Sequence, residues 1–152
     1  MTTQWREVAT STTPPGQLRQ NGDVISISPV VLVSNYLKAL STADPDLAIS
    51  LFTPDGVVDS PLYGGQPARD FYLALFADTP ESVLTLRETL LSANANTLAF
   101  WFDFDWVLAN GTPAPFTVVD VAELDEGGLV RCLHIVYDTH PIRGAWHLQN
   151  QG

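Results

Sequence analysis

Residues 98–122 read LAFWFDFDWVLANGTPAPFTVVDVA and predict a β-hairpin. Apolar and polar residues alternate in two runs, and the runs are joined at Asn110-Gly111. Asn-Gly between alternating runs is typical of a two-residue hairpin turn, because both positions accept a positive φ. A two-residue turn at these positions would place Trp101 opposite Asp120 on the neighbouring strand.

This pairing assigns the hairpin side chains to two faces of a sheet, because paired residues share a face. The first predicted face carries carboxylates and large hydrophobic residues: Trp101, Asp103, Asp105, Phe116, Val118 and Asp120. The second predicted face is apolar apart from one threonine: Phe100, Phe102, Phe104, Trp106, Thr117, Val119 and Val121. Both faces carry large hydrophobic side chains, so neither is expected to be fully exposed to solvent. We therefore expect the function to depend on what covers each face of the sheet.

The composition predicts one acidic globular domain. A chain of 152 residues with 45% hydrophobic residues can bury one core. Because 17 acidic residues against 7 basic ones give a net charge of −10, we expect neither a nucleic acid nor an anionic membrane as a partner. No stretch approaches the ~20 apolar residues of a membrane span, and no basic-then-apolar signal pattern begins the chain, which favours a cytoplasmic location.

The cysteine and the histidines give no sign of a metal site in the sequence. Cys132 is the single cysteine, which excludes an internal disulfide and a thiolate-rich metal site. Its apolar surroundings predict a buried, inert thiol. His134, His140 and His147 lack the spacing that places two ligands on one helix face, so we expect no metal ligand among them.

Helix signals precede the hairpin, and strand-like alternation surrounds it. Helix starts are indicated by Ser28-Pro29, Asp44-Pro45 and Pro67. Three helices followed by a run of antiparallel strands predict an α+β fold, with the helices on one face of a curved, mostly antiparallel sheet. We expect a domain at residues 28–143, a flexible N-terminal arm at residues 1–27 and a C-terminal tail at residues 144–152.

The order of these elements, together with several short motifs, resembles the nuclear transport factor 2-like superfamily. This superfamily includes ketosteroid isomerases, limonene epoxide hydrolases, scytalone dehydratase and the SnoaL polyketide cyclases. The matching stretches, within residues 29–143, are Tyr36 to Phe52, Gly64 through Phe71-Tyr72, Asn110-Gly111, Val118 to Val121, Leu124 to Gly128 and Val136-Tyr137-Asp138. The resemblance implies a cone in which helices and a concave sheet face close an apolar pocket, and this fold hosts many chemistries.

The resemblance to ketosteroid isomerases implies two hydrogen-bond donors. These enzymes keep a tyrosine on the first helix and an aspartic acid on the strand after the hairpin, and Tyr36 and Asp120 occupy those positions here. A carboxyl group that apolar surroundings keep neutral can donate a hydrogen bond to a developing enolate oxygen. Tyr36 and Asp120 are therefore the first candidate catalytic residues.

A catalytic base is harder to assign from the resemblance. The base of the isomerases falls on Ser60, and a serine without a basic partner cannot take a proton from carbon at a useful rate. The base would then be Asp103 or Asp105, or Asp59 if its strand is bulged. These residues complete the set of candidate proton-transferring groups.

Limonene epoxide hydrolases give a second comparison, which supports Asp103 as an acid. Their acid aspartate lies on the strand before the hairpin, where this chain has Asp103. Their arginine is replaced by Trp101, and their second aspartate is replaced by Ile135. Two members of that charged set are therefore absent from this chain.

The predicted carboxylate face and the loop beside it supply the ligand-binding candidates: Ser60, Tyr63, Trp101, Phe116, Val118, Leu133, Ile135 and Tyr137. The apolar face would then lie on the convex side, and a large exposed aromatic patch is typical of an interface. We therefore expect a homodimer through Phe100, Phe102, Phe104 and Trp106, joined by Val119, Val121, His134 and Val136. The opposite assignment stays open: the aromatic face fills the cone, and Asp103 and Asp105 face solvent.

These observations predict a metal-free acid–base enzyme that uses no cofactor and acts on a hydrophobic, oxygenated small molecule. Tyr36 and Asp120 would donate to a carbonyl or enolate oxygen, while Asp103 or Asp105 would move a proton. The reaction would be an isomerisation, dehydration, cyclisation or epoxide opening. The alternative is a non-catalytic module of the same fold that binds a small molecule or forms a dimer, and the missing base favours it.

Overall fold

Four helices and one six-stranded sheet make up residues 27–151, the part of the chain that the computed structural model describes. The helices are α1 (Pro29–Thr42), α2 (Pro45–Ser50), α3 (Ala68–Ala77) and α4 (His140–Gln149). The strands are β1 (Phe52–Ser60), β2 (Gly64–Pro67), β3 (Glu81–Leu91), β4 (Thr97–Val107), β5 (Phe116–Leu124) and β6 (Val130–Val136). The predicted N-terminal arm, residues 1–27, lies outside the described residues except for Ile27.

The first two helices begin at the predicted proline positions. Pro29 and Pro45 are the first residues of α1 and α2, where a missing backbone N–H costs nothing and the fixed φ suits a helix. The Asp44 carboxylate caps α2 by accepting a hydrogen bond from the Leu47 backbone N–H at 3.0 Å. One side of α1 is buried against the sheet, and this side carries Tyr36. Helix α1 therefore holds the Tyr36 hydroxyl inside the fold.

The sheet has the strand order β2-β1-β6-β5-β4-β3. Every neighbouring pair is antiparallel except β1 and β6, which are parallel. The α+β prediction, with three N-terminal helices against a mostly antiparallel sheet, is confirmed. The inner face of the sheet contributes much of the buried core that the helices cover.

The hairpin turn between β4 and β5 has three residues rather than the predicted two. The Gly111 backbone N–H donates to the Leu108 carbonyl at 2.8 Å. The Leu108 N–H donates to the Thr112 carbonyl at 3.0 Å, which closes a loop of residues 109–111. Gly111 has a φ of +85°, which suits the third residue of such a loop, because it must adopt the left-handed conformation.

The extra turn residue shifts the pairing of β4 with β5 by one position. Phe100, and not Trp101, lies opposite Asp120. Because a shift of one residue moves every side chain of one strand to the other face, the predicted grouping of Asp120 with Asp103 and Asp105 was wrong. Asp120 instead shares the inner face of the sheet with the aromatic residues of β4.

The aromatic residues of β4 fill the core of the cone. The exposed fractions of these side chains do not exceed 4% for Phe100, Phe102, Phe104 and Trp106. The predicted dimer contact through these four residues was therefore wrong, because each is covered by its own chain. A homodimer through the outer face of the sheet, where Val119, Val121, His134 and Val136 lie, stays a prediction.

The outer face of β4 carries the carboxylates that the sequence analysis had placed in the pocket. The Asp103 carboxylate accepts hydrogen bonds from Arg87 Nε at 3.0 Å and from Thr117 Oγ1 at 2.8 Å. The Arg87 guanidinium also lies 5.0 Å from the centre of the Trp101 ring, and Trp101 and Asp105 are exposed. The predicted pocket positions of Trp101, Asp103 and Asp105 were therefore wrong.

Helix α4 occupies most of the region predicted to be a C-terminal tail. Its apolar residues are few, but Ile142 is buried and Trp146 packs on Tyr63 with ring centres 5.6 Å apart. These two residues are four positions apart, so they lie on one side of the helix. Within residues 27–151, no helix is both long enough and apolar enough to cross a membrane.

The turn geometry predicts a stability cost for Gly111→Ala. Alanine at φ +85° is strained, so the free energy of unfolding should fall by about 1 kcal/mol, measured by urea denaturation. Gly65→Ala is the matched control, because an added Cβ there meets no atom within 4 Å and its φ is not positive. Equal stability of the two variants would contradict the three-residue turn.

Candidate active site

A cavity lies between the inner face of the sheet and helices α1 and α3. It encloses about 420 Å³, including the space at its mouth. Its walls are aromatic and aliphatic, with few polar groups: Tyr36, Leu40, Ser60, Tyr63, Phe71, Leu75, Phe102, Phe104, Trp106, Phe116, Val118, Asp120, Ile135 and Tyr137. The apolar lining of this cavity, with its few polar groups, suits a largely hydrophobic ligand.

Most of the predicted site residues meet at this cavity. Its walls include Tyr36, Ser60, Tyr63, Phe116, Val118, Asp120, Ile135 and Tyr137. Leu133 faces the same side of β6 but lies deeper in the core and does not line the cavity. The aromatic residues of β4 that line it were predicted to lie on the opposite face, and the turn length explains the difference.

Asp120 is the chemically distinctive group of the cavity wall. Its side chain is 1% exposed, and its Oδ1 atom has no hydrogen-bond partner in the described part of the chain. Burial raises the pKa of Asp120 to about 8, while hydrogen bonding with Tyr36 opposes this shift in part. The carboxyl group is therefore mostly protonated at neutral pH, and it can donate a hydrogen bond or a proton.

Two tyrosines extend the polar group around Asp120. The Tyr72 hydroxyl donates to the Tyr36 hydroxyl at 3.0 Å, and both side chains are buried. Burial raises the pKa of Tyr36, and the nearby Asp120 raises it further. The Tyr36 oxygen accepts a hydrogen bond from the Tyr72 hydroxyl. The hydroxyl proton of Tyr36 is therefore free to point towards Asp120 or a ligand oxygen.

Tyr72 is the member of this group that the sequence analysis did not assign. It was noticed only as part of the Phe71-Tyr72 motif on α3. A tyrosine on the buried side of a helix is a signal for a buried hydroxyl that needs a partner. The sequence does not show that the partner is Tyr36, which lies on another helix.

Polar groups at the mouth of the cavity are already paired. The Tyr63 hydroxyl donates to Asp78 Oδ2 at 2.6 Å and accepts from Trp146 Nε1 at 3.4 Å. Ser60 Oγ accepts hydrogen bonds from the backbone N–H groups of Leu62 and Tyr63 at 3.3 and 3.4 Å. Ser60 and Tyr63 therefore shape the mouth and hold the loop after β1.

The cavity wall contains a single carboxyl group. Asp120 is the only acidic residue among the residues that line the cavity within the described chain. Asp59, the neighbour of Ser60, points to the opposite side of β1, and its side chain is 66% exposed. Within residues 27–151, the site therefore combines one buried acid with tyrosine hydroxyls and has no second carboxylate.

Aromatic rings that stack on one another form an apolar part of the cavity wall. The ring centres of Phe116 and Tyr137 are 4.2 Å apart, and those of Phe104 and Phe116 are 5.1 Å apart. The one polar atom of Trp106 is satisfied, because its Nε1 donates to Thr79 Oγ1 at 2.6 Å. This wall suits a flat, apolar ligand whose oxygen faces Asp120 and Tyr36.

Comparison with known proteins gives a family and a set of similar folds. Residues 33–132 match the model of the SnoaL-like domain family. No functionally curated protein matches the chain. The fold is similar to that of BvnE pinacolase from Penicillium brevicompactum, with a TM-score of 0.67 and 17% identity, covering 82% of this chain and 92% of that one.

Two further solved structures have similar folds. One is a putative polyketide cyclase from Pseudomonas putida, with a TM-score of 0.64 and 14% identity, covering 78% of this chain and 98% of the other. The second is SalBIII, an epoxide hydrolase/cyclase-like enzyme in pyran ring formation in the polyether salinomycin, with a TM-score of 0.62 and 16% identity, covering 72% and 90%. Identities this low relate these proteins by fold.

The raised pKa of Asp120 predicts how the free energy of unfolding depends on pH. The folded chain holds a proton on Asp120 that the unfolded chain releases above about pH 4. The free energy of unfolding should therefore fall as the pH rises from there to about 8, by up to about 1.4 kcal/mol per pH unit. Asp120→Asn removes this contribution, so urea denaturation should show a smaller decrease in the variant.

Asp103→Asn is the matched control for this experiment. Hydrogen bonds from Arg87 and Thr117 hold the pKa of Asp103 below its usual range, so this carboxyl stays ionised between about pH 5 and pH 8. Its profile in that interval should run parallel to that of the native protein. Parallel profiles for the native protein and Asp120→Asn would contradict a raised pKa at Asp120.

Proposed function

The chain belongs to the SnoaL-like domain family, and we propose that it is an acid–base enzyme acting on a hydrophobic, oxygenated small molecule. The ligand would lie in the cavity with an oxygen atom facing Asp120 and Tyr36. One observation carries the proposal: a buried carboxyl, with an oxygen that has no partner among the described residues, lines an apolar cavity. Burying such a group without a partner lowers the stability of the fold. Buried polar groups without partners are therefore typical of functional sites.

The chemistry follows from having one acid in the site. Asp120 would donate its proton to an epoxide, ether, hydroxyl or carbonyl oxygen of the substrate, and the substrate bond to that oxygen would open or polarise. The carboxylate left behind would accept a hydrogen bond from Tyr36, which is supported in turn by Tyr72. The nucleophile or migrating group would come from the substrate itself.

A single carboxyl favours reactions in which the proton returns to the enzyme. After donating its proton, Asp120 is a carboxylate with a raised pKa, which makes it a competent base for a proton released later in the reaction. The net change would be an isomerisation or a cyclisation. Hydrolysis requires a positioned water molecule, and the described residues that line the cavity include no second carboxylate to activate one.

The functions of proteins with similar folds are compatible with an isomerisation or a cyclisation. A pinacolase and an epoxide hydrolase/cyclase-like enzyme in pyran ring formation share the cone architecture. At identities below 20%, the likeness supports the architecture of the cavity, and the choice of reaction rests on Asp120.

A non-catalytic binding module is the second candidate function. Ser60, and not a carboxylate, lines the cavity at the position implied for the base, and its oxygen is occupied by backbone hydrogen bonds. A protein that only binds a hydrophobic ligand needs the apolar wall, but neither a donor that faces the ligand oxygen nor a group that moves a proton. The two candidates differ in whether the site responds to negative charge on the ligand oxygen.

Binding of flat phenols of graded acidity tests the proposed oxygen site. Affinity measured by calorimetric titration should rise with phenol acidity, because the donors face an oxygen that carries more negative charge. Tyr36→Phe and Asp120→Leu each remove one donor and should each lower the affinity by roughly 10- to 100-fold, the value of a hydrogen bond to a charged group.

Tyr63→Phe is the control, because it removes a hydroxyl from the same cavity that is already bonded to Asp78. Its affinity for the phenols should stay close to that of the native protein. Binding that ignores phenol acidity, and that Tyr36→Phe and Asp120→Leu leave unchanged, would reject the acid–base proposal and favour the non-catalytic module.

A further inference from the structure

Three potential metal ligands meet on the outer face of the sheet, on the side opposite the cavity. Cys132 and His134 lie two positions apart on β6, so their side chains share a face. Glu123 on β5 lies directly opposite Cys132 in the antiparallel pairing. Sheet geometry therefore brings a thiol, an imidazole and a carboxylate together from residues that no local motif connects.

The distances between the three groups are close to those of a metal site. His134 Nε2 lies 2.9 Å from Glu123 Oε2 and 3.4 Å from Cys132 Sγ, and all three ligand atoms lie within 4.8 Å of one another. Ligand atoms bound tetrahedrally to Zn²⁺ at their usual bond lengths lie roughly 3.3–3.8 Å apart. Small rotations of these half-exposed side chains are enough to reach that geometry.

Asp59 provides a separate sign of a metal site. It pairs with His134 across the parallel β1–β6 ladder, and its Oδ2 lies 3.7 Å from His134 Nδ1. A metal-bound histidine usually donates its second ring N–H to a carboxylate, which orients the ring and strengthens the ligand. With Nε2 towards Glu123 and Cys132, the Nδ1 side of His134 has its carboxylate in place.

We propose that Glu123, Cys132 and His134 bind a divalent transition-metal ion of the Zn²⁺ class, with Asp59 positioning the His134 ring. The mixture of sulfur, nitrogen and oxygen ligands suits Zn²⁺ or Co²⁺ and does not suit Mg²⁺ or Ca²⁺, which prefer oxygen alone. Three protein ligands leave a fourth position open to water or another ligand. The ion would join β5 to β6 on the face away from Asp120.

The charges around Cys132 agree with a cation at this position. Burial raises the pKa of the Cys132 thiol, and the carboxylates of Glu123 and Asp59 raise it further. A divalent ion offsets this repulsion, and its binding converts Cys–SH to a metal thiolate and releases one proton to solvent. The Glu123 carboxylate, whose pKa is lowered by the hydrogen bond with His134, binds without loss of a proton.

Titration of the full-length protein with Zn²⁺ and Co²⁺ tests the site. One Zn²⁺ per chain should bind and raise the melting temperature, and Mg²⁺ should not compete. Bound Co²⁺ should show the near-ultraviolet charge-transfer absorption of a cobalt thiolate. Cys132→Ser should abolish that absorption, and Cys132→Ser, His134→Gln and Glu123→Gln should each lower Zn²⁺ affinity by at least about 100-fold.

The variant Asp59→Asn tests whether Asp59 orients the His134 ring or binds the metal ion itself. This variant should keep the cobalt–thiolate absorption while lowering Zn²⁺ affinity by about 10- to 100-fold, as expected for a carboxylate that orients a ligand. His147→Gln and Glu126→Gln are the matched controls, because both residues are exposed and lie outside the cluster. Their Zn²⁺ affinity should equal that of the native chain.

Protection of the Cys132 thiol from alkylation can be measured in the native protein, without any variant. Zn²⁺ should slow the alkylation of Cys132 in the native protein, whereas Mg²⁺ should not. Absence of Zn²⁺ binding, or binding that survives Cys132→Ser and leaves alkylation unchanged, would overturn the proposal. The second result would assign the ion to the many surface carboxylates of this acidic chain.

Discussion

The carboxyl group of Asp120 is buried beneath aromatic side chains, and this burial determines the chemistry of the site. Asp120 has no basic partner among the described residues that line the cavity, and an ionised carboxylate would be very costly there. The group is therefore kept protonated, and its pKa is raised to about 8. The apolar cavity keeps this acid neutral, the Tyr36–Tyr72 pair lies beside it, and the proposed reaction depends on it.

The length of one turn decides which residues of β4 share a face of the sheet with that carboxyl. The sequence correctly predicts the hairpin and the α+β class, and the two residues that it assigns to the pocket first, Tyr36 and Asp120, are buried and line the cavity. It does not predict the register, because Asn-Gly suits both a two-residue loop and a three-residue loop that ends in a left-handed glycine. One added residue moves Asp103 and Asp105 to the outer face and brings the aromatic residues of β4 inside.

Contacts between distant segments account for the rest of what the sequence analysis missed. The Tyr72–Tyr36 hydrogen bond joins two helices, and the cluster of Glu123, Cys132 and His134 depends on strand register. No short sequence motif indicates either the tyrosine pair or the cluster, since residues of each of these types are common in helices and strands. Helix α4 was not predicted because its apolar residues are few. Its packing against Tyr63 stabilises the helix, which its own sequence favours only weakly.

The protonation of Asp120 can be measured directly. Infrared difference spectra between the native protein and Asp120→Asn isolate the carbonyl stretch of this one carboxyl group. With its raised pKa, Asp120 should show the band of a protonated acid near pH 6, which is replaced by carboxylate bands with a midpoint near pH 8. Carboxylate bands alone at pH 6 would show that Asp120 is ionised, and they would contradict both the neutral acid and the function proposed from it.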